Sequence, residues 1–261
     1  MVKDWDNALH LTQIPFSQVT HYMKKPHVFP HTTWAAKSLW SIEFKSLSVL
    51  LCSLTVIGFG EGLLLLSDLG SAPWTVLSQG VATQDQFSVG WASWIISMIV
   101  MLAWFPLRLK PGLATVMNIF VIAFFLGLTT YLLQKPTALY ARFAYAIVGI
   151  LLFGIGTAFY LTCHQGPGPR DGLMVGLCQH FHWKIGIVRT SIEVLVCVFG
   201  FLLGGVLGIG TLMFAFGIGW VVQYTLFFIN RIPHFRDKGA RNHQISPLRR
   251  LQQSDAPNRS R

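Results

Sequence analysis

The chain alternates between long apolar stretches and short interruptions that are polar or rich in glycine and proline. Each stretch has about twenty predominantly apolar residues, the length a helix needs to cross a bilayer. Backbone N–H and C=O groups cannot remain unpaired in hydrocarbon, so continuous apolar stretches of this length predict helices. We therefore expect an all-α, polytopic membrane protein with six transmembrane helices, at 46–66, 88–108, 112–133, 141–162, 186–206 and 210–230.

Composition and charge support a location in the lipid bilayer. Hydrophobic residues make up 52% of the chain and charged residues 11%, against about 25% charged residues in a soluble domain. The net charge of +10 is concentrated at the two ends, so it does not indicate a nucleic-acid partner. Because positively charged segments are retained in the cytoplasm, we expect both termini of a multi-pass protein of the cytoplasmic (inner) membrane to be cytoplasmic.

The ends differ in character from the rest of the chain. The N-terminal arm, residues 1–45, carries Lys3, Lys24, Lys25, Lys37 and Lys45. The tail, residues 231–261, is basic and contains many Ser, Pro, Gln and Asn residues, a composition typical of disorder. With six spans, only Lys135 and Arg142 fall on the side opposite to the other cations.

An internal repeat divides the membrane part into two units. When the chain is shifted by 96 residues, Leu54–Thr130 aligns with Ile150–Leu226 with eighteen identities and no gap. We interpret this as a tandem duplication, with membrane repeat 1 at 46–134 and membrane repeat 2 at 141–230. Three spans per unit is an odd number, so the second copy is expected to be inverted. Many transporters are built in this way, although duplication alone also produces a symmetric bundle without a transport path.

Each unit contains a break followed by a short apolar segment. The breaks are Gly70–Trp74 and Gly166–Arg170. Proline is suited to the first turn of a helix, so Pro73 and Pro169 are predicted helix starts, with ends near Thr83 and His182. Such helices are too short to span the bilayer. They are either re-entrant, with N-termini directed at an anionic or polar ligand, or interfacial.

The starts of the short helices supply the predicted substrate-binding residues. Arg170 and Asp171 in the second copy correspond to Trp74 and Thr75 in the first. A guanidinium is suited to holding a carboxylate or phosphate, and Asp171 could orient it. The alternative is that Arg170 anchors the helix and Asp171 caps the local backbone. We assign Pro73, Trp74, Thr75, Pro169, Arg170 and Asp171 to this predicted site.

Three further ionisable residues lie within the predicted spans, where charges are costly and usually paired or functional. Arg189 and Glu193 are one turn apart and could form an ion pair. Glu61 lies among glycines in the first span, with Thr157 as its counterpart. It could carry a coupling proton, or it could be the partner of Arg189 or Arg170.

Several of these segments match a known pattern. Leu69–Trp74 and Gly166–Met174, then Arg189 with Glu193 and the glycine-rich Leu202–Thr211, resemble the signatures of the YczE/YyaS/YitT family of bacterial membrane proteins. The resemblance covers about residues 50–230. It implies a multi-span protein of the cytoplasmic membrane but does not specify a substrate. The family often has an acid where this chain has Thr75.

Other classes of site have little support in the sequence. Nucleotide-binding, zinc-protease and serine-hydrolase motifs are absent, so we expect no catalytic residues, no cofactor and no enzyme. The Cys and His residues around 163–182 do not have the spacing of a metal site, and the cysteines are expected to be free. We expect a transporter or exporter of a small anionic or amphiphilic solute, and an oligomer is possible. The alternative is an accessory membrane protein that stabilises or activates a partner.

Overall fold

The computed structural model describes residues 32–85, 88–183 and 185–232. Helices are the regular secondary structure of these residues, which contain no β-strand. Lys3, Lys24, Lys25, Lys184 and the tail beyond residue 232 lie outside the described residues. The helices are α1 (Phe44–Leu66), α2 (Pro73–Asp85), α3 (Val89–Leu102), α4 (Leu113–Leu132), α5 (Leu139–Leu161), α6 (Pro169–Phe181), α7 (Ile185–Leu202) and α8 (Ile209–Arg231).

Four of these helices, α1, α4, α5 and α8, are long and apolar enough to cross a membrane. A fifth possible crossing is the pair formed by α2 and α3, which are bent by 115° relative to each other. The all-helical prediction is therefore confirmed for the described residues, with four or five helical segments of spanning character.

Two predicted spans are shorter than the hydropathy pattern indicates. Helix α3 ends at Leu102 instead of residue 108, because Pro106 follows and proline cannot supply the next helical N–H. Helix α7 ends at Leu202 instead of residue 206, and Gly204, at φ +98°, follows it. Glycine is the residue that most readily ends a helix in this left-handed region.

The 96-residue offset recurs in the backbone. Helices α2, α3 and α4 begin at residues 73, 89 and 113, and α6, α7 and α8 begin at 169, 185 and 209. Positive φ angles recur at the same offset, in the pairs Asp68 and His164, Gly70 and Gly166, and Arg108 and Gly204. The two sequence copies therefore fold into the same succession of local structures.

Helices α1 and α5 pack against each other through reciprocal glycine contacts. A Cβ added at Gly60 would lie 2.7 Å from the carbonyl oxygen of Gly149. A Cβ added at Gly156 would lie 2.8 Å from the carbonyl oxygen of Ser53. Gly60 and Gly156 are 96 residues apart, and so are Ser53 and Gly149. The second contact is therefore the first one with the two copies exchanged. Small residues allow backbones to come this close, and the buried core is built around this crossing.

A second reciprocal contact joins each copy to the break of the other. The N–H of Ala114, at the start of α4, donates to the carbonyl oxygen of Gln165 at 3.1 Å. The N–H of Gly210, at the start of α8, donates to the carbonyl oxygen of Leu69 at 2.6 Å. The last helix of each copy thus holds the irregular backbone that precedes the short helix of the other copy.

The two breaks also have different outer contacts. In the first copy, Asp68 receives Lys135 Nζ at 2.8 Å and Arg142 Nη2 at 3.3 Å, so the two cations that depart from the charge bias have a common partner. In the second copy, Trp34 Nε1 donates to Thr162 Oγ1 at 3.0 Å. Further hydrogen bonds join Thr32, Ala36, Leu39 and Ser41 to the membrane part, so residues 32–41 of the predicted N-terminal arm pack onto it, a contact that hydropathy did not indicate.

Candidate functional site

A cavity of about 630 Å³ lies among the helices. Residues from each of α1 to α8 line it. Most of the lining is apolar, and its charged side chains come from α1, from the start of α6 and from α7. The cavity therefore has an apolar wall with a charged cluster at one part.

The lining positions of one copy largely repeat those of the other. Ten pairs that are 96 residues apart contribute to the wall. This distribution places the cavity across the contact between the copies. The pairs are Ile57 with Phe153, Glu61 with Thr157, Ala72 with Gly168, Pro73 with Pro169, Trp74 with Arg170, Ser93 with Arg189, Ser97 with Glu193, Asn118 with Phe214, Ile122 with Ile218, and Ala123 with Gly219.

Both short helices begin at the cavity wall, at the prolines that the sequence indicated. Each proline follows a tight backbone turn that contains a glycine with positive φ, Gly70 at +106° and Gly166 at +105°. A Cβ at Gly70 would lie 2.5 Å from Thr211 Oγ1, so space as well as conformation requires glycine there. The turns direct the first residues of α2 and α6 toward the cavity.

Glu61 is the centre of a buried polar cluster. Its side chain is 1% exposed, and its Oε1 accepts from Thr75 Oγ1 at 3.1 Å and from Arg170 Nη1 at 3.2 Å. The Arg170 guanidinium also lies 5.4 Å from the ring centroid of Trp74. Glu61 Oε2 is buried and has no hydrogen-bond partner among the described residues. The ion pair joins α1 of the first copy to α6 of the second.

The remaining charges of the wall belong to the second copy. Arg189 Nε donates to Glu193 Oε1 at 3.0 Å, an i,i+4 pair on α7 whose side chains are 58% and 39% exposed. Asp171 lies in the first turn of α6. It has no cationic partner within 4.0 Å in the part of the chain that the structure describes.

Two aromatic side chains hold the start of α6. Tyr160 donates its hydroxyl to the carbonyl oxygen of Gly166 at 3.1 Å. Trp104 is 3% exposed and donates Nε1 to the carbonyl oxygen of Pro169 at 3.0 Å. Its indole also fills the space beside Gly172. These contacts fix where Arg170 and Asp171 enter the cavity.

The structure brings together most of the residues that the sequence singled out. Pro73, Trp74, Pro169, Arg170, Asp171, Glu61, Arg189 and Glu193 all line the cavity. Thr75 does not: it is buried behind the wall and acts on the cavity through its hydrogen bond to Glu61. Both Arg170 and Arg189 were possible partners of Glu61 from the sequence, and in the structure Arg170 lies beside it.

Several lining residues were missed. Ser93 and Ser97 on α3 are uncharged and lie in an ordinary apolar stretch, but they are the 96-residue counterparts of Arg189 and Glu193, so the repeat could have identified them. Asn118 and Tyr160 carried no such signal, because their counterparts Phe214 and Leu64 are apolar.

Comparison with known proteins gives the family. Residues 44–226 match the family of unknown function DUF6198. The chain belongs to this family. An uncharacterised protein of Haemophilus influenzae is 58% identical over 211 residues, which are 81% of this chain and 97% of that protein.

Two relatives come from Bacillus subtilis. The uncharacterised membrane protein YczE is 25% identical over 188 residues, 72% of this chain and 85% of YczE. The uncharacterised protein YyaS is 26% identical over 192 residues, 72% of this chain and 94% of YyaS. The predicted resemblance to YczE and YyaS is thus confirmed, and the apolar helices agree with a membrane protein. No solved structure matches the chain.

Proposed function

We propose that this protein transports or exports a small solute across the cytoplasmic membrane and that the cavity between the two copies is its binding site. The observation that carries the proposal is the position of the cavity, across the contact between two repeated units, with charged side chains set in an apolar wall. Sites of this kind occur in transporters with inverted repeats. The cavity is also within the size range of small-molecule sites, about 300–1,000 Å³.

The proposal includes an inverted topology with six crossings and cytoplasmic termini. The contacts between Gly60 and Gly149 and between Ser53 and Gly156 support it, because they make α1 and α5, the first helices of the two copies, run antiparallel. Topology reporters fused after Lys110 and after Lys184 should report the same side of the membrane, and a reporter after Lys135 the other. Reporters at Lys110 and Lys184 on different sides would contradict the inversion.

The ion pair of Glu61 and Arg170 is the proposed moving contact. It connects one copy to the other, and relative movement of the copies would separate the two side chains. An anionic solute would have to compete with Glu61 for Arg170, whereas an amphiphilic solute can use the apolar wall directly. We therefore propose an amphiphilic solute and keep anions as one arm of the test.

The test is solute flux in liposomes that contain the purified protein. Amphiphilic and anionic solutes are screened, and uptake is compared with that of empty liposomes. Arg170→Met should lower the flux of a transported solute at least about tenfold, about 1.4 kcal/mol, because it removes the buried ion pair that joins the two copies.

Arg142→Met is the matched control. Arg142 also pairs with an acid, Asp68, but it does not line the cavity. Solute flux through the Arg142→Met variant should therefore equal the flux through the wild type. Folded protein without flux for any solute class would overturn the proposal and favour the accessory role.

A further inference from the structure

We infer that the cavity selects a primary ammonium group carried on a small apolar body. This inference rests on the proposed function, because it names the solute class of the same cavity. It follows from the balance of charges, from one unsatisfied acceptor and from the aromatic part of the wall.

The fixed charges of the wall leave an excess of acid. Three carboxylates and two guanidiniums line the cavity. Arg170 is paired with Glu61 and Arg189 with Glu193. Among the described residues, Asp171 therefore has no cation within 4.0 Å, and the formal charge of these five side chains sums to −1. A ligand with one positive charge neutralises the cavity, whereas an anion adds to the imbalance.

Glu61, a residue of the wall, has one buried acceptor atom without a partner among the described residues. Glu61 Oε1 receives two hydrogen bonds, but Oε2 is buried without a partner among the described residues. An ionised carboxylate only accepts hydrogen bonds, and leaving such a group unpaired in a buried site is costly. A primary ammonium supplies three donors along with its charge. A quaternary ammonium supplies the charge alone.

The positive ends of the short helices do not require a ligand anion. Asp171 lies in the first turn of α6. Glu61 is hydrogen-bonded to Thr75, in the first turn of α2. Each helix start, where a negative charge is favoured, thus already has a carboxylate of the chain beside it.

The apolar part of the wall suits an aromatic or aliphatic body. Phe153 and Phe214 meet edge to face with ring centroids 5.1 Å apart, and Trp74 and Tyr160 also line the cavity. Aromatic faces attract cations as well as apolar groups. The Trp74 ring already has a cation near it in the Arg170 guanidinium.

The experiment measures binding of four probes that share a phenylpropyl body. They are 3-phenylpropylamine, its trimethylammonium analogue, 3-phenylpropanol and 3-phenylpropionate. Binding is measured on the full-length protein in phosphatidylcholine nanodiscs. The amine should bind at least about tenfold more tightly than the alcohol, about 1.4 kcal/mol. The trimethylammonium compound should lie between them and the carboxylate should be weakest.

Removal of the acids should change the charge preference. Asp171→Asn should abolish the advantage of the amine over the alcohol. The double variant Glu61→Gln and Asp171→Asn, with a formal wall charge of +1, should bind the carboxylate more tightly than the amine. Asp68→Asn is the control, because Asp68 is an ion-paired acid that does not line the cavity. If the double variant does not fold, Asp171→Asn alone tests the inference through the loss of the preference for the amine over the alcohol.

The outcomes separate this inference from the proposed function. Tighter binding of the carboxylate by the wild type, or an unchanged preference in Asp171→Asn, would overturn the ammonium inference while a binding cavity remained. No binding or flux for any probe would overturn both. Phosphatidylethanolamine added to the nanodiscs distinguishes the source of the ammonium. If phosphatidylethanolamine competes with 3-phenylpropylamine, the ammonium group belongs to a lipid headgroup. If it does not compete, the ammonium group belongs to a free amine.

Discussion

The two copies share the backbone contacts of the α1–α5 crossing and of the breaks, but they differ in the side chains that they present to the cavity. Reciprocal contacts occur where backbones meet, as at Gly60 and Gly156. At the cavity wall, several pairs of residues that are 96 positions apart are chemically different. A side chain that faces open space is less constrained by its neighbours, so such differences are tolerated there. The unlike pairs are Glu61 with Thr157, Trp74 with Arg170, Ser93 with Arg189 and Ser97 with Glu193. Close packing thus preserved the scaffold, and the cavity acquired its charge from unequal contributions of the copies.

The contrast extends to the end of the third helix in each copy. In the second copy, Gly200 lies against the backbone of α2, where an added Cβ would be 2.6 Å from the N atom of Leu77. In the first copy the corresponding residue is Trp104, whose indole occupies the space beside Gly172 of α6. One short helix is therefore packed backbone to backbone, and the other is supported by a large side chain.

Trp104→Ala tests this difference and should have the largest effect. It removes a buried indole and its hydrogen bond to Pro169, and such substitutions cost about 3–5 kcal/mol. Thermal unfolding in detergent should show the loss. Trp104→Phe, which keeps most of the ring volume, should recover more than half of it. Equal stability of the alanine variant and the wild type would mean that Trp104 does not support α6.

Alanine at the crossing of α1 and α5 should have a smaller effect that is equal in the two copies. Gly60→Ala and Gly156→Ala each place a methyl group against backbone atoms that cannot rotate away, and overpacking of this kind costs about 1–3 kcal/mol. The same unfolding measurement serves here.

Gly127→Ala is the control for this pair. Its nearest neighbour would be the Cα of Gly90 at 3.5 Å, an ordinary contact, so its stability should equal or exceed that of the wild type because alanine favours the helix. A strong effect at Gly60 with none at Gly156 would break the equivalence of the two copies.

Local signals predicted the features that depend on neighbouring residues. Pro73 and Pro169 gave the starts of the short helices, since proline fixes φ and needs no N–H partner in the first turn. The pairing of Arg189 with Glu193 followed from one turn of helix. The ends of α3 and α7 were less well predicted, because hydropathy continues through Pro106 and Gly204 although the helices stop before them.

Contacts between distant residues could not be derived in this way. Glu61 and Arg170 are separated by 109 positions, and from the sequence Glu61 could carry a coupling proton or pair with either Arg170 or Arg189. Likewise, Trp34 gave no sign that it would reach Thr162. No local periodicity encodes such distances, which depend on how complete helices pack.

The sequence alone determined that this is a helical membrane protein made of two related units, because hydrophobicity, glycine spacing and a fixed 96-residue offset are properties of the chain itself. The tertiary structure decided that Glu61 meets Arg170, that Thr75 lies behind the wall, and that Asp171 has no cation within 4.0 Å in the described part of the chain. The physical reason is that the balance of charges in a cavity depends on which side chains come within a few ångströms of each other, and helix packing sets those distances.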